Sequence, residues 1–169
     1  MEGRVGGAMT GIIPDRQWGA DGIWRGIRRT FRKPADVALA VRIGVFLIVM
    51  PRRLETRPLD GVLSEIERAR SSSRGEANDV ARISRLRQAW LASPLLRERN
   101  TCYVRAITLY RFLDAGGGKM RIHFGLEPGT DPGDRLRGHA WVTLDDELLE
   151  APEPVLAGRV SELYVYPHD

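Results

Sequence analysis

Residues 100–126, NTCYVRAITLYRFLDAGGGKMRIHFGL, and residues 138–150, GHAWVTLDDELLE, decide the fold. The first segment opens on Asn100 and Thr101, either of which can cap a helix, and its periodic part is stopped by Gly116-Gly117-Gly118. Between them Cys102, Ala106, Leu109 and Leu113 recur at helical spacing, which predicts a helix over Cys102–Asp114 with the thiol on its core-facing side. Met120–Leu126 and His139–Leu144 then alternate apolar with polar residues, separated by the glycine-, proline- and aspartate-rich loop EPGTDPGDRLRG. Asp145-Asp146 can turn the chain into a third strand, Glu147–Glu150, and Val160–Tyr166 adds a fourth. The expectation is an α+β fold: an antiparallel sheet with a helix laid on it.

Upstream of residue 100 the pattern is helical. Apolar residues mark helices over residues 34–50, over Leu59–Arg70 with Val62, Leu63 and Ile66, and over Asp79–Ser93 with Val80, Ile83, Leu86 and Trp90. Ser71-Ser72-Ser73-Arg74-Gly75 separates the last two. The apolar run Ala35–Met50 is interrupted by Asp36, Arg42 and Gly44 and ends at Pro51-Arg52-Arg53, so it reads as too short and too charged to span a bilayer. Arg25–Lys33, with Trp24, Ile27 and Phe31 at helical spacing, reads as a basic amphipathic helix. Residues 1–22 show no signal-peptide pattern, and a cytoplasmic location is expected.

The 169 residues are 43% hydrophobic and 28% charged, which suits a packed globular core rather than disorder. With 26 basic against 22 acidic residues the net charge is only +4, and the signs are interspersed outside Arg25–Lys33. No nucleic-acid partner and no membrane association are expected from that balance. A single cysteine excludes an internal disulfide and a zinc site built from cysteine pairs, and neither a cofactor nor a metal is expected.

That cysteine carries the chemical reading. A thiolate is the nucleophilic form, and the first turn of a helix, with its unpaired N–H groups, favours an anion. A nearby histidine would complete an ion pair. His139 opens a strand after a loop and can present its ring at the sheet's end, whereas His123 reads as solvated or structural and His168 as frayed. If Asp145 and Asp146 form the turn, Leu144 pairs with Glu147, Trp141 with Glu150 and His139 with Pro152. Glu150 then lies diagonally beside His139, with Asp146 and Glu153 as alternative acids. The backbone N–H of Cys102 is one oxyanion donor, and the sequence names no second.

These segments resemble the transglutaminase-like cysteine proteases that remove leader peptides in lasso-peptide biosynthesis. Cys102 at the start of its helix and the run His139, Ala140, Trp141, Val142 match that family, over about residues 95–152. The turn departs from it, with Asp145-Asp146 where the family has Asp-Gly, and the acid is Glu150 where the family commonly has aspartate. Composition and pattern divide the chain into an N-terminal arm with the basic amphipathic helix (1–33), a helical lobe (34–95) and a third part (96–169), which the resemblance makes a core of a transglutaminase/papain-like helix plus antiparallel sheet. The resemblance implies catalysis by Cys102, His139 and Glu150, and three partners: a precursor peptide as substrate, a small leader-binding protein acting in trans and a lasso cyclase. Transglutaminase-like acyl transfer and a non-catalytic peptide-binding adaptor with an inert Cys102 are the alternatives.

Overall fold

The computed structural model describes residues 34–71, 79–129 and 136–168. The expected basic helix at Arg25–Lys33 lies outside the described residues. In chain order the elements are α1 (Pro34–Thr56), α2 (Leu59–Ser71), α3 (Val80–Leu91), a 3₁₀ turn at Arg97–Arg99, α4 (Cys102–Phe112), β1 (Met120–Glu127), β2 (Arg137–Leu144), β3 (Glu147–Glu150), α5 (Glu153–Leu156) and β4 (Ser161–Tyr166). The four strands form one sheet in the order β3-β2-β1-β4, antiparallel throughout. The α+β expectation holds. The short α5 was not legible, since four residues carry no periodicity.

Helix α4 is the centre of the molecule. Val104, Ala106, Ile107, Thr108, Leu109, Tyr110 and Phe112 are all buried, so it is enclosed on nearly every side rather than along one stripe. Its sheet-facing neighbours are Met120, Ile122, Phe124, Ala140 and Val142, and they share a single hydrophobic cluster with α1, α2 and α3. Fully burying a large apolar side chain contributes about 1.5–3 kcal/mol, which makes this helix the most costly element to displace. Thr101, not Asn100, caps it, its hydroxyl accepting from the Val104 N–H at 3.3 Å. The helix ends at Phe112, two residues before the expected Asp114, because Leu113 turns to an extended backbone.

Helix α1 overruns its expected end. It continues through Pro51 to Thr56, and Arg53 of the extra stretch is tied to Glu65 of α2 at 2.8 Å. The full helix is long and apolar enough to cross a membrane by length and composition, with a mean hydropathy of 1.8 over its best window, which corrects the expectation from the shorter run. Only 33% of that window is buried in the protein. Leu39, Ala40, Ile43, Leu47 and Met50 enter the core, while Val37, Val41, Val45, Ile48 and Val49 are exposed.

Close packing of α1 on α3 depends on Gly44. The Trp90 indole occupies the space a side chain there would need, with ring carbons 2.5 Å from an ideal Cβ, and its Nε1–H donates to the Ala40 carbonyl at 2.8 Å. Gly44→Ala is therefore expected to destabilise the protein by about 1–3 kcal/mol through overpacking. Urea unfolding of the two proteins would measure it, and unchanged stability would show that the Trp90 contact is dispensable.

Candidate active site

The first turn of α4 meets the start of β2. The Cys102 thiol, partly exposed, donates to the Gly138 carbonyl at 3.5 Å. Cys102 and Tyr103 are the first two residues of the helix, so their N–H groups have no intrahelical partner and point toward whatever lies at the helix mouth. His139 follows Gly138 directly. Along β2, however, Gly138, Ala140 and Val142 face α4, while His139 shares the other face with Trp141 and Thr143. No hydrogen bond joins the thiol to the imidazole. The sulfur touches the backbone next to the histidine, and the ring is directed elsewhere.

The ring's partner is Glu127. In β1 Gly125 pairs with His139, so Glu127 is the diagonal neighbour on the same face, and its carboxylate lies 3.2 Å from His139 Nε2. Arg159 holds the other oxygen of that carboxylate at 3.1 Å and also binds Glu153. The Arg159 hydrogen bond is the largest influence on Glu127; together with His139 it outweighs burial and keeps the carboxyl below the usual glutamate range. An ionised Glu127 accepts from Nε2–H, which leaves Nδ1 of the neutral ring as an acceptor. Nδ1 is buried and has no hydrogen-bond partner among the described residues.

Glu150 lies elsewhere. The Leu144–Glu147 pair forms as expected, but a bulge between Val142 and Thr143 sets Glu150 opposite Val142 instead of Trp141. One extra residue in β3 moves the side chain to the α3 side of the sheet, and the expected contact with His139 is not made. There Glu150 receives Arg87 at 2.6 Å and Ser84 at 3.1 Å. Burial works to raise its pKa, but the charge and hydrogen bond of Arg87, the charge of Arg105 and the Ser84 hydroxyl outweigh it and hold the carboxyl low. The other acids considered from sequence are also engaged: Asp146 pairs with Arg121 at 2.7 Å, and Glu153 with Arg159 at 2.5 Å.

The remaining histidines are structural. His123 is buried rather than solvated: it stacks on Trp141 with centroids 5.3 Å apart, and its nitrogens meet Glu162 at 2.6 Å and Thr143 at 2.9 Å. It thereby joins β1 to both neighbouring strands. His168 rests edge-on against Tyr164 and Tyr166 instead of fraying. Sequence reasoning missed Glu127, because its position depends on a β1–β2 register set across a long loop. Among the described residues no group of three or more His, Cys, Asp or Glu side chains is placed to hold a metal.

A cysteine heading a buried helix that lies on an antiparallel sheet is the architecture of the α+β cysteine peptidases and acyl transferases. A family model described as "Transglutaminase-like superfamily" matches residues 46–162, well over half of the chain, and the chain belongs to that superfamily. The superfamily is typically one of cysteine peptidases and transferases. Neither a curated protein nor a solved structure matches the chain.

The placement of Glu150 makes a stability prediction. Arg87 is 3% exposed, and removing its partner strands a buried cation, so Glu150→Gln is expected to cost about 3 kcal/mol. A carboxylate whose folded pKa is depressed stabilises the fold above its unfolded pKa, and that contribution fades as pH falls through the folded value. Wild-type stability should therefore drop below the ordinary glutamate range more steeply than that of the variant. Denaturant titrations across the acid range measure both; equal stability at neutral pH would show that the ion pair is not structural.

Proposed function

We propose that this chain is a transglutaminase-like cysteine peptidase that removes the leader from a ribosomally made precursor peptide during lasso-peptide maturation, with Cys102 as nucleophile and His139 as general base. The observation that carries the reading is the juxtaposition at Gly138: its carbonyl receives the thiol at the mouth of α4, and the next residue is a histidine whose outer nitrogen is fixed by a carboxylate. Membership of the superfamily supports the class of chemistry, and the His139, Ala140, Trp141, Val142 run supports the narrower assignment.

In this mechanism His139 Nδ1 takes the thiol proton, and the sulfur attacks the carbonyl carbon at the leader–core junction. The oxyanion is met by the Cys102 N–H. Collapse of the tetrahedral intermediate expels the amine, which receives the proton from His139, and water then hydrolyses the thioester. For the first transfer the His139 ring, which lies on the other face of β2 from α4, must reorient at the start of the strand so that Nδ1 comes within hydrogen-bond reach of the sulfur. Glu127, rather than Glu150, is the orienting acid: it fixes the tautomer in which Nδ1 is the free base and stabilises the imidazolium that forms. A small leader-binding protein in trans and a cyclase are the partners of this reading, and the cytoplasm its compartment.

Two experiments test it. Mass spectrometry of a precursor peptide from a neighbouring reading frame, incubated with the protein and its leader-binding partner, is expected to show leader release by wild type and none by Cys102→Ala. Cleavage that survives the substitution would overturn the assignment. Separately, Glu127→Gln is expected to lower turnover by roughly 10²–10⁴-fold, the range spanned by general-base catalysis. Glu150→Gln is expected to leave the turnover of the folded fraction near wild type, and the reverse ranking would restore Glu150 as the acid.

A further inference from the structure

Three of the four tyrosines place their hydroxyl on a partner: Tyr110 on Glu67 at 2.5 Å, Tyr164 on Asp60, and Tyr166 on Ser64 at 3.2 Å. Tyr103 differs. Its side chain is partly exposed, and its hydroxyl makes no hydrogen bond among the described residues. The ring is fixed against Phe124, with centroids 5.4 Å apart. The hydroxyl rests on the backbone of Gly138, where an ideal Cβ would lie 3.2 Å from the oxygen and 3.3 Å from the ring. That same glycine's carbonyl receives the Cys102 thiol. A hydroxyl without a partner among the described residues and the sulfur thus flank one residue at the mouth of α4, and the absence of a side chain at 138 lets both approach it.

We infer that the Tyr103 hydroxyl is a second oxyanion donor, acting with the Cys102 N–H on the acyl oxygen of a substrate bound at the thiol. The inference rests on Cys102 being the nucleophile. As the sulfur bonds to the carbonyl carbon, the π pair moves onto oxygen, and Tyr103 donates a hydrogen bond without transferring its proton. When the C=O bond re-forms the leaving group departs and the hydroxyl is unchanged, so the step needs no other reactant. Burial, and after it the electrostatic influence of Cys102, push the Tyr103 pKa up, which keeps it a protonated donor. Tyr110, buried deeper, already spends its hydroxyl on Glu67 and cannot serve.

Two reactions at the same sulfur test this. Attack on p-nitrophenyl acetate builds an oxyanion, whereas alkylation by iodoacetamide displaces iodide at a saturated carbon and builds none. Tyr103→Phe keeps the ring on Phe124, so the fold is expected to persist. Its acylation rate, read from the burst of p-nitrophenolate, is expected to fall roughly 100-fold with little change in KM, the size of effect seen when one oxyanion donor is removed. Its alkylation rate is expected to stay within about two-fold of wild type, as no oxyanion donor enters that step. Unchanged acylation would overturn the role of Tyr103 while leaving Cys102 as nucleophile. A parallel fall in both rates would also overturn it, by showing that the residue acts on the thiol or on packing. No Cys102-dependent burst in the unsubstituted protein would instead overturn the reading on which this inference stands.

Discussion

The contact between the first turn of α4 and the backbone of Gly138 is the constraint on which the rest of the site depends. A helix buried on nearly every side cannot slide or rotate without opening cavities, so the register of α4 against the sheet is fixed by Ile107, Leu109, Tyr110 and the strand residues they meet. Its N-terminus is thereby held at one place on β2. Because that place is a glycine, the sulfur and the Tyr103 hydroxyl meet one peptide rather than a side chain.

Two carboxylates near β2 have different tasks because their partners differ. Glu150 lies toward α3 and is matched by Arg87, whose guanidinium is almost wholly enclosed; charge there serves cohesion between the sheet and the helical layer. Glu127 lies on the opposite face at the sheet's end and is shared between Arg159 and His139. An arginine that already neutralises much of its charge keeps Glu127 ionised while leaving one oxygen for the ring. The pairing of acid with histidine comes from β1, the neighbour of β2 on one side, and not from β3 on the other.

The sequence was most legible where structure is local. The α4 helix, a cap at Asn100 or Thr101, the two-residue turn at Asp145-Asp146 and four strands follow from spacing and turn chemistry, and the structure contains them with Thr101 as the cap. It was least legible where one residue of register matters. A single bulge displaced Glu150 from the face of His139, and nothing in ELLE announces a bulge. Glu127 was missed for the same kind of reason, since β1–β2 pairing is closed across a long loop whose length does not fix register. Pro51 misled in the other direction: it lies within α1, where packing on α2 and α3 outweighs one lost hydrogen bond.

By itself the sequence determined which residues can do chemistry: one thiol at a helix start, a histidine at a strand start, and a surplus of acids too far apart in the chain to rank. Local rules suffice for that, because caps, turns and periodicity act over a few residues. Only the tertiary structure decided which acid faces the imidazole, that the thiol rests on a carbonyl rather than on the ring, and that the Tyr103 hydroxyl has no partner among the described residues. Those outcomes depend on strand register and helix seating, which are fixed by packing between segments distant in the chain.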